Sequence, residues 1–197
     1  MNWETFKQRF QKGHLLKLFL VCAFPFHLWT ILLVLNDVEW IAQRTDLSDV
    51  IGVGAYALLY ALIESFVFFL CIVALGLIIP WRWNGDKVFA QLGYNSLWIP
   101  LWPGLNQLYR YKDFASPDFL VEWLFSTGHP LRYGAVVLGL LITIIIGSAG
   151  VPNFLIGFKY PVEKNTRNFL ERIAFLSSLY IALDIISVII VLIRNIS

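Results

Sequence analysis

Hydrophobic positions in this chain gather into four long runs, unlike the short alternations of a soluble sheet protein. The runs cover residues 15–35, 51–79, 133–151 and 169–193. Each is near or above the ~20 residues that a helix rising ~1.5 Å per residue needs to cross a bilayer. The second is longer than the hydrocarbon layer requires, so tilt or projection from the membrane is expected. Pro80 and Pro152 stand at the ends of the second and third runs, whereas Pro25 lies inside the first and predicts a kink. The expected fold is an all-α integral membrane protein: a bundle of four transmembrane helices forming one polytopic domain over residues 1–197.

Between the second and third runs the pattern changes. Residues 80–132 hold Trp81, Trp83, Trp98, Trp102 and Trp123, five of the eight tryptophans, together with Tyr94, Tyr109 and Tyr111. Such side chains concentrate at the headgroup level, so an aromatic belt is expected here. SPDFLVEWLF reads as a short helix, with Ser116 as N-cap, Pro117 and Asp118 in the first turn and Gly128 beyond the end. SLWIPLWPGL, broken by Pro100 and Pro103, is too short to span and predicts an interfacial or re-entrant element. The whole segment is therefore expected to be an amphipathic, interfacial connection.

Composition agrees with the pattern. The chain is 58% hydrophobic and 14% charged, with a mean hydropathy of +0.70, against ~25% charged residues in soluble domains. A net charge of +2 with no basic tract excludes nucleic acid as a partner. Cys22 and Cys71 sit inside apolar runs with no CxxC spacing, which predicts two buried, inert thiols. The first run has a basic flank but contains Pro25, His27 and Trp29 and lacks a small-x-small cleavage site, so a retained anchor is expected.

Lys and Arg counts set the orientation. With four spans, one side collects ten basic residues, from the N-terminal flank, the 80–132 connection and Arg194; the other collects five, Arg44 and four in 159–172. Both termini are thus expected in the cytoplasm, although the 159–172 connection runs against that assignment. No organelle signal is legible, and a bacterial cytoplasmic membrane is the expected location.

Three ionisable residues fall in the middle of the runs: His27, Glu64 and Asp184. A charged group there costs ~2.5–3.5 kcal/mol even on mild insertion scales, and such residues are functional candidates by default. Glu64 shares a helix face with Ala57, Tyr60 and Ala61, and Asp184 with Ser177, Tyr180 and Ser187, so both acids are expected to point inward. Tyr60 and Tyr180 each precede an acid by four residues, the spacing at which helical side chains meet. These five residues are the ion- or proton-handling candidates, weighed against hydrogen-bonded acids that glue helices together. The face Gly139, Thr143 and Gly147 is a further close-packing pattern.

No metal or cofactor motif is legible. GVGAYA (residues 52–57) matches a dinucleotide glycine pattern but opens a predicted spanning helix, not a βαβ unit. His14, His27 and His129 give no HExxH and no paired haem ligation. The leading expectation is a non-enzymatic helical subunit or scaffold, associating with the lipid bilayer and with other membrane subunits or copies of itself. One alternative is a small proton- or cation-coupled transporter using the mid-membrane carboxylates. The other is a lipid-facing enzyme with a site in 80–132, drawn from Asp86, Asp113, Asp118, Glu122 and His129.

Overall fold

The computed structural model describes residues 12–80, 83–111 and 118–196. These form six helices and, among the described residues, no strand: α1 (Lys12–Ala42), α2 (Leu47–Gly76), α3 (Gly85–Tyr111), α4 (Asp118–Ser126), α5 (Pro130–Phe158) and α6 (Tyr160–Ile196). Four of them, α1, α2, α5 and α6, are long and apolar enough to cross a membrane. The expected short helix appears as α4; its expected N-cap and Pro117 lie outside the described residues.

Local chemistry explains the boundaries. Asp49 in the first turn of α2 complements the positive end of the helix dipole. Gly128, with φ of 71°, adopts the left-handed conformation that stops α4, and Pro130 opens α5 where its missing N–H is not needed. Lys159 is extended between α5 and α6, and Pro161 again falls in a first turn. Helix α1 runs on through Pro25, and α3 through both Pro100 and Pro103.

Side-chain pairings give each helix a direction. At one end, here called proximal, Asp86 at the start of α3 meets His14 near the start of α1 (3.3 Å) and Arg167 near the start of α6. Lys17 and Glu171 pair beside them at 2.8 Å. Lys87 reaches the Gly157 carbonyl, which brings the end of α5 to the same place. At the distal end Arg194, late in α6, binds Asp49 at the start of α2 at 2.7 Å. Five long helices therefore alternate: α1, α3 and α6 run from proximal to distal, and α2 and α5 run back.

This arrangement changes two expectations. The segment expected to be interfacial supplies α3, a 27-residue helix whose first half is lodged in the interior. Its residues Val88, Phe89 and Leu92 join Leu18, Val21 and Cys22 of α1, Ile72 of α2 and Leu170, Ile173 and Ala174 of α6 in one buried cluster. The buried cluster thus joins α3 to three of the four apolar helices. Helix α5 contributes nothing to that cluster, and none of its most apolar stretch is buried, against 33% for α1. Second, α1 begins at the proximal end and α6 finishes at the distal end, so the start of α1 and the end of α6 lie at opposite ends of the array, where four alternating helices alone would bring them to the same end. Cys71 also departs from expectation, being exposed while Cys22 is buried.

Polarity kept α3 from being legible as one long helix; several of its polar groups find partners inside the protein, whereas Gln91 Oε1 is buried with none among the described residues. Asn95 and Asn153 of α5 exchange reciprocal amide hydrogen bonds of 3.0 and 2.8 Å. Each amide also donates to the carbonyl four residues earlier, Gln91 and Ala149 respectively. The Tyr94 hydroxyl donates to the Ser148 carbonyl at 2.8 Å. Trp83 closes the seam against Gly157, where a Cβ would lie 3.2 Å from the indole ring.

Candidate functional site

Of the five candidates, the structure joins three. His27 of α1 is fully buried and Asp184 of α6 is 3% exposed. The imidazole Nε2 lies 3.0 and 3.2 Å from the two carboxyl oxygens. On the other side of the ring, Nδ1 is 2.9 Å from the Ala23 carbonyl oxygen. A carbonyl only accepts, so Nδ1 carries a hydrogen and donates it. One further proton then lies between Nε2 and the carboxyl, and whichever group holds it, the pair is hydrogen-bonded. Tyr180 stacks on the imidazole with ring centroids 5.0 Å apart and planes 9° apart. The i, i+4 spacing therefore places Tyr180 over the partner of Asp184, as a flat cover for the ring.

Neighbouring residues seal the pair. Ser177 and Ser187 on the same face of α6 are buried, and the Ser177 hydroxyl donates to the Ile173 carbonyl, one turn back. Phe24 packs against Tyr180 from the α1 side, with centroids 6.4 Å apart. Along α6, Asp184 stands about 20 Å from Glu171 and about 15 Å from Arg194, at ~1.5 Å per residue. It is thus far from both polar ends.

Glu64 is placed elsewhere. It is exposed, not turned into the interior, and joins neither His27 nor Asp184. The reason is angular. Ala61, Ser65, Ile72 and Gly76 are the buried residues of this half of α2, and at 100° per residue their mean direction is about 90° from Glu64. Ser65 turns its hydroxyl back to the Ala61 carbonyl (2.6 Å) and lets the helices approach. Tyr60 is 67% exposed and points away from the core.

Glu64 lies on the wall of a cavity of about 850 Å³. Its other walls come chiefly from α1 (Phe26, Trp29, Leu32) and from α3 (Leu97, Trp98, Leu105). Prolines shape it: Pro25, Pro100 and Pro103 all line it, and each deprives the carbonyl four residues earlier of its helical donor. Of the tryptophans expected in an interfacial belt, Trp98 lines this cavity, Trp83 packs on Gly157, Trp123 packs on Tyr133 and Trp81 lies outside the described residues. Tyr94, Trp98 and Trp102 form an i, i+4 ladder along α3, with centroid spacings of 6.1 and 5.4 Å. Sequence reasoning missed this cavity and the Asn95–Asn153 seam; the visible signal was the coincidence of two prolines with the tryptophan ladder.

The residues 80–132 do not converge on one interfacial site. Asp86 is bound by His14 and Arg167 at the proximal end. His129 precedes α5, whose far end reaches Lys87, so about 40 Å of helix separates them. Glu122 is exposed on α4. Asp113 lies outside the described residues, as does the side chain of Asp118. Among the described residues no three His, Cys, Asp or Glu side chains group as a metal site. Comparison with known protein families, with curated proteins and with solved structures finds no match to this chain.

Proposed function

We propose that this chain is a polytopic integral membrane protein that acts as a non-enzymatic helical subunit, and that α5 is the helix by which it associates with another membrane protein or a second copy. The observation carrying this reading is the open glycine face of α5. A Cβ added at Gly139, Gly147 or Gly150, which share one side of the helix, meets nothing within 4 Å, although glycine and small residues at such spacing are what let membrane helices approach closely. Within the chain, α5 is held at its proximal end by the Asn95–Asn153 seam. Tyr133 at its other end packs on Trp123 of α4, and most of the apolar surface between is exposed and open to a partner. The sealed His27–Asp184 pair supports the same reading, since a carboxyl with its proton partner shut inside acts as a cross-link between α1 and α6.

Membrane placement follows from the ends. Glu171 and Arg194 are 23 residues apart on α6, about 35 Å at ~1.5 Å per residue, close to the ~30 Å of hydrocarbon a crossing helix must match. Among the described residues, seven basic ones lie in the proximal halves of their helices or the adjoining turn (Lys12, Lys17, Lys87, Lys159, Lys164, Arg167, Arg172). Four are distal (Arg44, Arg110, Arg132, Arg194). The proximal end is accordingly cytoplasmic and the end of α6 faces the opposite side. With α3 crossing, the basic connection between α5 and α6 no longer opposes the assignment.

The test is association in native-like membranes. Cross-linking and size analysis of the purified chain in nanodiscs should give a defined oligomer or hetero-complex. Gly139→Leu with Gly147→Leu should dissolve it while leaving the fold intact. A wild-type chain that stays monomeric and co-isolates with nothing defeats the subunit reading.

A further inference from the structure

We propose that the cavity between α1, α2 and α3 is a binding site for a lipophilic cation, with Glu64 pairing the positive group and the aromatic walls holding its apolar body. This goes beyond the subunit reading and does not depend on it.

Three observations converge. First, the cavity is large and apolar: about 850 Å³, within the ~300–1,000 Å³ typical of small-molecule sites. Second, its charge has one sign. Among the described residues lining it, Glu64 is the sole charged side chain, and Thr30, Tyr94 and Gln107 are neutral polar ones. Glu64 has no hydrogen-bond or ion-pair partner among the described residues. It stands 15 residues from Asp49 on α2, about 22 Å along the axis, so the polar distal end does not reach it. A carboxylate at that depth carries a large cost unless something of opposite charge meets it.

Third, the remaining walls suit a cation and a hydrocarbon body. Phe26, Phe68, Trp29 and Trp98 line the cavity. The indole nitrogens of Trp29 and Trp98 are covered and unpartnered, so these residues present carbon and π surface to the cavity in place of N–H donors. Aromatic faces attract ammonium and phosphonium groups, most strongly where water is excluded. Pro100 and Pro103 add to this by withdrawing N–H donors from the wall, and Pro103 leaves the carbonyl of Ile99, a lining residue, without its usual partner. Acceptors and π surface with one carboxylate favour a cation over a neutral or anionic amphiphile.

The full chain in nanodiscs would be titrated with tetraphenylphosphonium by equilibrium dialysis, using tetraphenylborate as an anion of the same shape. Expected are saturable binding of about one cation per chain and no saturable binding of the anion. Glu64→Gln should weaken cation binding by roughly tenfold or more, and Trp98→Ala by roughly three- to tenfold. Glu64→Asp, which keeps the charge, should retain most of the affinity and guards against a folding defect in the Gln variant. Equal cation binding by the wild type and a folded Glu64→Gln protein would overturn the proposal. So would equal binding of the borate, or uptake that tracks lipid content without saturating.

Discussion

Removing either member of the His27–Asp184 pair should destabilise the protein, and the pattern of losses reports how the pair holds its proton. Asp184→Ala leaves Nε2 of a fully buried imidazole unpaired, a cost of about 1–3 kcal/mol. His27→Ala leaves the carboxyl unpaired and also removes the ring that stacks on Tyr180, so it should cost more. The double variant loses the bond only once. Its destabilisation should fall short of the sum by about 1–2 kcal/mol, at the upper end for interhelical hydrogen bonds in membrane proteins. A true ion pair would behave differently, because stripping one partner from a buried charge costs about 3–5 kcal/mol. A charged carboxylate in so dry a place needs several donors, and the imidazole is its one hydrogen-bond partner among the described residues. The shared, neutral arrangement is therefore the expected one. In that arrangement Asp184→Asn keeps an N–H donor toward Nε2 and should cost within about 1 kcal/mol. Unfolding in mixed micelles with increasing sodium dodecyl sulfate measures all four variants, and infrared difference spectra should show a protonated carboxyl band lost on Asp184→Asn. Additivity to within about 0.3–0.5 kcal/mol, or an Asn variant as damaged as the Ala variant, refutes the reasoning.

Gly93→Ala places a Cβ 2.5 Å from Cδ1 of the fully buried Leu170, so it should destabilise by about 1–3 kcal/mol, whereas Gly139→Ala, which meets nothing, should not lower monomer stability; paired melting curves check both. Asn95→Leu or Asn153→Leu alone should loosen α5 and increase proteolysis near residue 128, because each strands the other amide. The Leu/Leu double variant should recover part of the loss. A thiol introduced at Ser197 should react with an impermeant reagent from the side opposite to one introduced at Gly13, and same-side labelling would refute the five-crossing order.

How much of this was legible depends on what carries the signal. The four apolar helices were, because a run of twenty apolar residues has few other fates. The pairing of His27 with Asp184 was only half legible. Both residues were visible as mid-run polar groups, and Asp184 stood on a face with Ser177 and Ser187, but nothing local says that residue 27 meets residue 184. Glu64 misled because its neighbours Ala57 and Ala61 are small, and small residues mark an interface without fixing which edge of the stripe is buried. Helix α3 was hidden for a deeper reason. Hydropathy scores Gln91 and Asn95 as if water must satisfy them, but here Asn153 satisfies Asn95, and that partner lies 58 residues away.

With α3 packed beside the apolar helices, four of the buried or half-buried polar groups stand apart from Glu64. His27, Asp184, Asn95 and Asn153 are spent on one another, and each pair ties helices distant in sequence, α1 to α6 and α3 to α5. Burial of such groups is tolerable because each is matched, and the matching specifies which helices sit together, a task that apolar faces perform poorly where lipid is as apolar as leucine. Glu64 is the exception in the middle of the molecule, unmatched and beside a cavity bounded by prolines and aromatic rings. A structural acid would be expected to resemble Asp184, buried and met by a partner. That Glu64 does not is the physical ground for giving it a ligand outside the chain. Glu64→Leu separates the two roles: it should leave stability unchanged or raised while abolishing cation binding. A loss of stability comparable to that of Asp184→Ala would place Glu64 with the structural pairs instead.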